Sequence, residues 1–127
     1  VDSIQGLGAL PLDVRACHID FLSNGGHKWL LGITGTGIFY CRRDLITQLT
    51  PAVVGWGSVQ DADDLYRYDS PLREDAMRWE IGCGNTLGRL ALGTGLEMLL
   101  EVGIENVTDR IMALTDYLIA GLRERGS

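Results

Sequence analysis

The sequence predicts an α/β architecture, a sheet with helices packed on it. Short apolar runs between glycines and charged residues occupy the first half, as strands opening into loops would. Apolar residues stepping by three and four fill the last third, the stripe of a core-facing helix. Strands first and two long helices after suit a slice of one sheet domain. At 127 residues the chain is one domain's length, enough to bury roughly two-thirds of its unfolded surface.

Taken in order, "VDSIQ" (1–5) reads as the end of a strand, followed by the turn-rich link "GLGALPLD". "HIDFLSNGG" carries Ile19, Phe21 and Leu22 into polar and glycine residues, a buried strand entering a loop. "GITGTG" (32–37) has the glycines of a phosphate loop but precedes a strand, whereas nucleotide fingerprints open a helix; a turn is the better reading. Ile38, Phe39, Tyr40 and Cys41 then form a second strand, and Asp44 is placed to cap a short helix, "LITQL", stopped by Pro51. Residues 58–75 hold six carboxylates and few aliphatics, an exposed excursion whose Tyr66 and Tyr68 could meet a partner. Its "DADD" lacks the glycine and distal glutamate of a calcium loop and reads as a solvated acidic turn. Leu92, Leu96, Leu99 and Leu100 share one helical face, with Gly93 and Gly95 suggesting close backbone packing. Ile104, Val107, Ile111, Leu114, Leu118 and Leu122 mark a second helix, with Gly126 as its cap. The chain thus divides into a strand and loop part (1–57), an exposed segment (58–85) and a helical part (86–127).

Composition excludes several functions. A net charge of −6 argues against nucleic acid or an anionic membrane as partner. No apolar run approaches the length of a membrane span. Cys17, Cys41 and Cys83 are odd in number and widely spaced, which points to reduced thiols, a cytoplasmic setting and no metal site. The start at Val1 and the stop after a helical segment read like a piece of a longer polypeptide.

Lys28 is the only lysine; the other ten of the 11 cationic side chains are arginines. A lysine amine is nucleophilic only when neutral, which partial burial or cationic neighbours promote. Here His27 and the apolar Trp29, Leu30 and Leu31 flank it, and Gly25 and Gly26 would let a planar ligand approach the backbone. The plainer alternative is a surface lysine at a strand end. Asp2, at the carboxyl end of a strand, would point into the crevice where α/β sheets bind ligands and could hold a protonated ring nitrogen; otherwise it is a turn residue. Cys83, between Gly82 and Gly84, defaults to a small packed residue, and His18 to a structural one.

In order and spacing these pieces resemble the class V aminotransferases of the fold-type I pyridoxal-phosphate enzymes. The resemblance is carried by Asp2, Gln5 and Gly8, then Pro11-Leu12-Asp13-Val14, Asp20-Phe21, His27-Lys28, Gly32, Gly35 and Gly37, and Arg42-Arg43. "RWEIGCGN" and the helical third extend it over nearly the whole chain. It implies a fragment of the large cofactor-binding domain, with the N-terminal part and the small C-terminal domain absent. It also implies pyridoxal 5'-phosphate as cofactor, in Schiff-base linkage to Lys28, which an arginine could not form. Asp2 would keep the pyridine nitrogen protonated, Gln5 would bond the phenolic oxygen, His27 would lie toward the phosphate, and Cys83 would stand where the family's threonine reaches a neighbouring subunit's phosphate. Three departures stand out: Gly25 replaces a phosphate-binding hydroxyl, which backbone amides or Ser23 would have to supply, Cys83 replaces that threonine, and Ile33 replaces a proline.

The implied activity is that of an enzyme acting on an amino acid by transamination, epimerisation or lyase chemistry, as a cytoplasmic homodimer with the long helices and the 56–85 region near its interface. "GHKWLLG" leans toward the isopenicillin-N-epimerase-like branch. Alternatives are an enzyme of the cysteine desulfurase or selenocysteine lyase type, although none of the three cysteines corresponds to that branch's catalytic one, and a non-catalytic remnant serving as an association module. The fragment alone is expected to be inactive, because half the pocket lies outside it.

Overall fold

The computed structural model describes residues 1–126. Two strands, β1 (Phe21–Gly25) and β2 (Gly37–Cys41), pair antiparallel with Phe21 opposite Cys41 and Gly25 opposite Gly37. The segment before them adds one parallel bridge, Asp2 to Ser23, closed by Ser3 N donating to Ser23 O and Ser23 N to Val1 O. "VDSIQ" is therefore a strand end laid along β1. After Ser3 it turns away, with Gly6 N and Leu7 N both donating to Ser3 O.

The sheet is less enclosed than the apolar runs suggested. In β1, Leu22 and Asn24 are buried while Phe21 and Ser23 are exposed, so the strand alternates and covers one face only. Exposed Phe39 of β2 meets Trp79 edge-to-face with ring centroids 5.3 Å apart. The core is a small layer of Ala9, Ile19, Leu22, Leu30, Cys41, Ile46 and Leu92.

Asp44 does not cap its segment. Residues Arg43–Gln48 form a 3-10 helix, and the Asp44 carboxylate is gripped by Arg42, at 2.7 Å from Nε and 3.0 Å from Nη2. A guanidinium fork outcompetes a neutral backbone N–H for the carboxylate. In the exposed excursion, Arg67 pairs with Asp61 at 2.5 Å and Asp69 at 3.3 Å, while Tyr66 and Tyr68 stand free in solvent. That excursion is pinned through Ser58, wholly buried, whose hydroxyl donates to Glu80 O at 2.8 Å and accepts from Gly55 N.

The helical third holds α1 (Thr86–Val102) and α2 (Ile104–Glu124), broken at Gly103, whose φ of +84° favours glycine. Asn85 caps α1 by accepting from Gly88 N at 2.9 Å. Gly95 packs as expected: a Cβ there would lie 2.5 Å from Leu30 O. Gly93 does not, for nothing lies within 4 Å of its Cβ position, and Leu100 is 80% exposed rather than on the packed face. The α2 stripe also lacks its cover. Ile104, Val107 and Ile111 are half-buried, Leu114, Leu118 and Leu122 exposed, and none of the described residues of α2 is fully buried. Thr108 Oγ1, donating to Ala9 O at 2.9 Å, ties α2 to the strand half. Gly126 takes φ +75° just past α2, the left-handed stop foreseen from sequence. Among the described residues no helix is long and apolar enough to cross a membrane.

Candidate functional site

Parallel strands share their carboxyl ends, and β1 and the Asp2 strand both deliver residues to the same end of the sheet. From Gly25 the chain enters a loop fastened at both ends: Gly26 N donates to Thr36 O at 2.9 Å and Gly32 N to Gly26 O at 2.8 Å. Lys28 sits in this loop, and Leu31 N, from a residue at φ +60°, donates to its carbonyl at 3.1 Å. Leu30, 2% exposed, anchors the loop in the core. Gly8, at φ +94°, lies so close that a Cβ there would be 2.5 Å from Trp29 O; Gly95 presses on Leu30 O from the other side. Two glycines thus pack against the backbone just after Lys28, Gly8 at Trp29 and Gly95 at Leu30 and Leu31.

The lysine itself is exposed, as are His27 and Trp29, so the desolvating flank expected from the sequence reduces to the buried Leu30. The described residues bury the backbone of this loop and leave its cationic tip in water. Among the described residues Lys28 has no ion-pair partner.

Asp2 is exposed, and its Oδ1 accepts from Ile4 N at 3.0 Å, the turn-residue role made real while Oδ2 stays uncommitted. Asp2 and Gln5 line one cavity of about 410 Å³ with Leu10, Pro11 and Leu12; Lys28 and His27 do not line it. What joins the two groups is Ile4. A Cβ on Gly25 would lie 2.9 Å from Ile4 Cδ1, 3.0 Å from His27 Cε1 and 3.1 Å from His27 Nδ1. The His27 ring is therefore folded back on Gly25, which Ile4, the residue before Gln5, also approaches. Sequence reasoning missed Ile4, since an isoleucine among strand residues carries no signal of its own. It also read Gly25 as room for a ligand, whereas the space above it is taken by Ile4 and His27.

Cys83 is exposed, not packed, two residues before the α1 cap. Its neighbours turn elsewhere: a Cβ on Gly82 would meet Trp56, and one on Gly84 would meet Arg89. Asn85, two residues on, packs against Gly35 and, with Thr36, against Gly88, beside the loop that carries Lys28. His18 is exposed with φ +50°, closing the 13–19 turn. The resolved proton shifts lie at the opposite end of β1. Asp13 is held below the usual carboxylate range by the Ala16 and Arg15 N–H groups, and Asp44 by the Arg42 guanidinium. Burial pushes the Cys41 thiol up.

Comparison with known proteins matches this geometry to one family. The aminotransferase class-V family model matches residues 1–127. A probable cysteine desulfurase of Methanothermobacter thermautotrophicus is 35% identical over 121 residues, covering 94% of this chain and 29% of that protein. The solved apo structure of a cysteine desulfurase from Thermococcus onnurineus NA1 superposes with a TM-score of 0.85 at 30% identity, over 98% of this chain and 30% of its own. The solved C-DES mutant with glycine covalently linked to its PLP cofactor gives 0.81 at 26% identity, over 94% and 31%. The chain spans about 30% of the length of these relatives, and its strands and helices form part of their α/β fold. With a match running from Val1 to Ser127 and the lysine loop held at the shared strand ends, the chain belongs to the aminotransferase class-V family.

Proposed function

We propose that this chain forms the centre of the large cofactor-binding domain of a pyridoxal-phosphate enzyme acting on an amino acid, with Lys28 as the linking amine. The parallel pairing of the Asp2 segment with β1 supports this reading best, because both segments run into their loops at the same end of the sheet, with Ile4 and His27 each beside Gly25. The donor set fits the cofactor: an amine without an ion pair for its aldehyde, a half-committed carboxylate for its ring nitrogen, an amide for its phenolic oxygen and an imidazole for its phosphate. When bound, the cofactor supplies an electron sink for the substrate's alpha carbon. Lys28 would hold the cofactor through its aldehyde group, and its amine, when neutral, would accept the substrate's alpha proton. Asp2 Oδ2 would keep a proton on the ring nitrogen, Gln5 would orient the ring through the phenolic oxygen, and His27 would bond the phosphate. Cys83 serves a partner copy's phosphate in a homodimer, which agrees with its exposure and its distance in sequence from the Lys28 loop.

The chain is incubated with pyridoxal phosphate, reduced with borohydride and digested, and the labelled peptide is found by mass spectrometry. Saturable labelling of Lys28 is expected in the folded chain, far below the concentration that labels urea-denatured chain or the Val1 amine. Asp2→Asn should weaken it about tenfold, the worth of a charge-assisted bond near 1.4 kcal/mol. Equal labelling of folded and denatured chain would leave only an accessible lysine, and the association-module reading in its place.

A second reading, carbon–sulfur bond cleavage on cysteine, is favoured by the cysteine desulfurases among its relatives. Sulfide release from L-cysteine by the full-length protein, against alanine and glutamate as amino donors, separates it from transamination.

A further inference from the structure

At the end of β1 away from Lys28 lies a cavity of about 740 Å³ between the 13–19 turn and the exit of β2. Both of its walls are stiff. The turn is closed by Asp13 Oδ1 accepting from Arg15 N at 2.8 Å and Ala16 N at 3.0 Å, by Cys17 N donating to Asp13 O at 3.0 Å, and by Ile19 N donating to Val14 O at 2.9 Å. The second wall is bolted to the first through Asp20: Arg42 N donates to Asp20 O at 2.8 Å, and the Arg42 guanidinium bridges Asp20 and Asp44. Each nearby carboxylate is thereby engaged, Asp13 by backbone amides and Asp20 and Asp44 by Arg42.

The donors that remain tell what the cavity can take. Arg15 and Arg43 line it from opposite walls, and among the described residues neither guanidinium has a carboxylate or carbonyl partner. His18, held at φ +50°, and Tyr40 line it as well. Non-glycine residues in the left-handed region cluster where a site is held in a set conformation. Two guanidiniums without a carboxylate partner among the described residues, an imidazole and a phenol belong to residues lining one cavity in a chain of net charge −6, a concentrated set of anion donors. A planar carboxylate is satisfied by one arginine fork, whereas a tetrahedral dianion draws donors from several directions. The volume also exceeds that of a bare oxyanion, and Val14, Ile19 and Tyr40 supply an apolar side for an organic group.

We propose that this cavity is a second anion site, separate from the Lys28 site, that takes a phosphate group, either free or as a small phosphomonoester. Calorimetric titration of the chain at fixed ionic strength, with chloride as reference, uses inorganic phosphate in one arm and phenyl phosphate in the other. Saturable binding of at least one is expected. Equal affinities assign the site to free phosphate, and tighter phenyl phosphate assigns it to a monoester. Arg43→Gln and Arg15→Gln should each weaken binding by about tenfold, the effect of removing a charge-assisted hydrogen bond. Arg43, exposed and free of contacts that fold the chain, keeps the test valid should the Arg15 variant misfold. His27→Ala, which removes the imidazole proposed for the cofactor's phosphate, should leave the titration unchanged. No binding above the chloride reference, or binding lost in His27→Ala and kept in Arg43→Gln, would overturn the proposal; the latter result would place the phosphate in the cofactor site and leave the function proposed above standing.

Discussion

Glycine positions near Lys28 differ in what they tolerate, and the differences are measurable. A methyl group on Gly95 would press into Leu30 O, and one on Gly8 into Trp29 O from a left-handed backbone. Gly95→Ala and Gly8→Ala should each cost about 1–3 kcal/mol in urea unfolding, the usual range for overpacking. Gly93→Ala, with open space around it, should stabilise α1 by about 1 kcal/mol. The thiols sort in the same manner. Cys17 and Cys83 are exposed, whereas Cys41 is buried, donates to Arg42 O and has its ionisation opposed by that burial. Timed alkylation with mass detection should label the first two in the native chain and Cys41 only on unfolding. At this scale the sequence was legible for Asp2, whose turn-residue alternative appears as the Oδ1 bond from Ile4 N, and for Gly95, whose close packing was expected. For Ile4 it was not, because its role depends on a contact 21 residues away.

Among the elements, the two helices and both strands were readable from periodicity and glycine punctuation, since apolar spacing follows backbone geometry. The Asp44 cap was misread because Arg42, two residues before it, offers the carboxylate a stronger partner than the backbone. Acid should expose that partnership. Asp13 and Asp44 both have folded-state values below the unfolded carboxylate, so their stabilisation is present above the unfolded value near ~4 and disappears as pH falls through the folded one. Urea midpoints should therefore be insensitive to these two groups from pH 7 to about 5 and drop below about pH 4, with a shallower drop in Asp44→Asn. Asn85, whose capping role only the structure identified, supports the start of α1; Asn85→Ala should cost about 1 kcal/mol.

For the whole molecule, surface area is the telling quantity. The chain exposes 9267 Å². A compact monomer of 13.9 kDa exposes about 6,700 Å², so this chain buries only about 54% of its unfolded surface instead of the roughly two-thirds expected from its length. The excess lies on faces that are apolar: Leu87, Leu90 and Leu100 of α1, and Tyr117 and Leu118 of α2. The isolated chain should accordingly bind a hydrophobic dye strongly and elute from a sizing column ahead of a compact 13.9 kDa standard. A compact elution volume with no dye binding would contradict this accounting.

Residue chemistry and its spacing along the chain by themselves determined the α/β class and the family resemblance, because a strand and an amphipathic helix each admit few residue types in few orders. Tertiary structure alone decided that the Asp2 strand lies parallel to β1, that Ile4 and His27 both lie beside Gly25, that Arg15 and Arg43 share a cavity, and that Lys28 and Cys83 stand exposed. Those outcomes depend on contacts between segments far apart in the chain, and burial is a property of what surrounds a side chain rather than of the side chain itself.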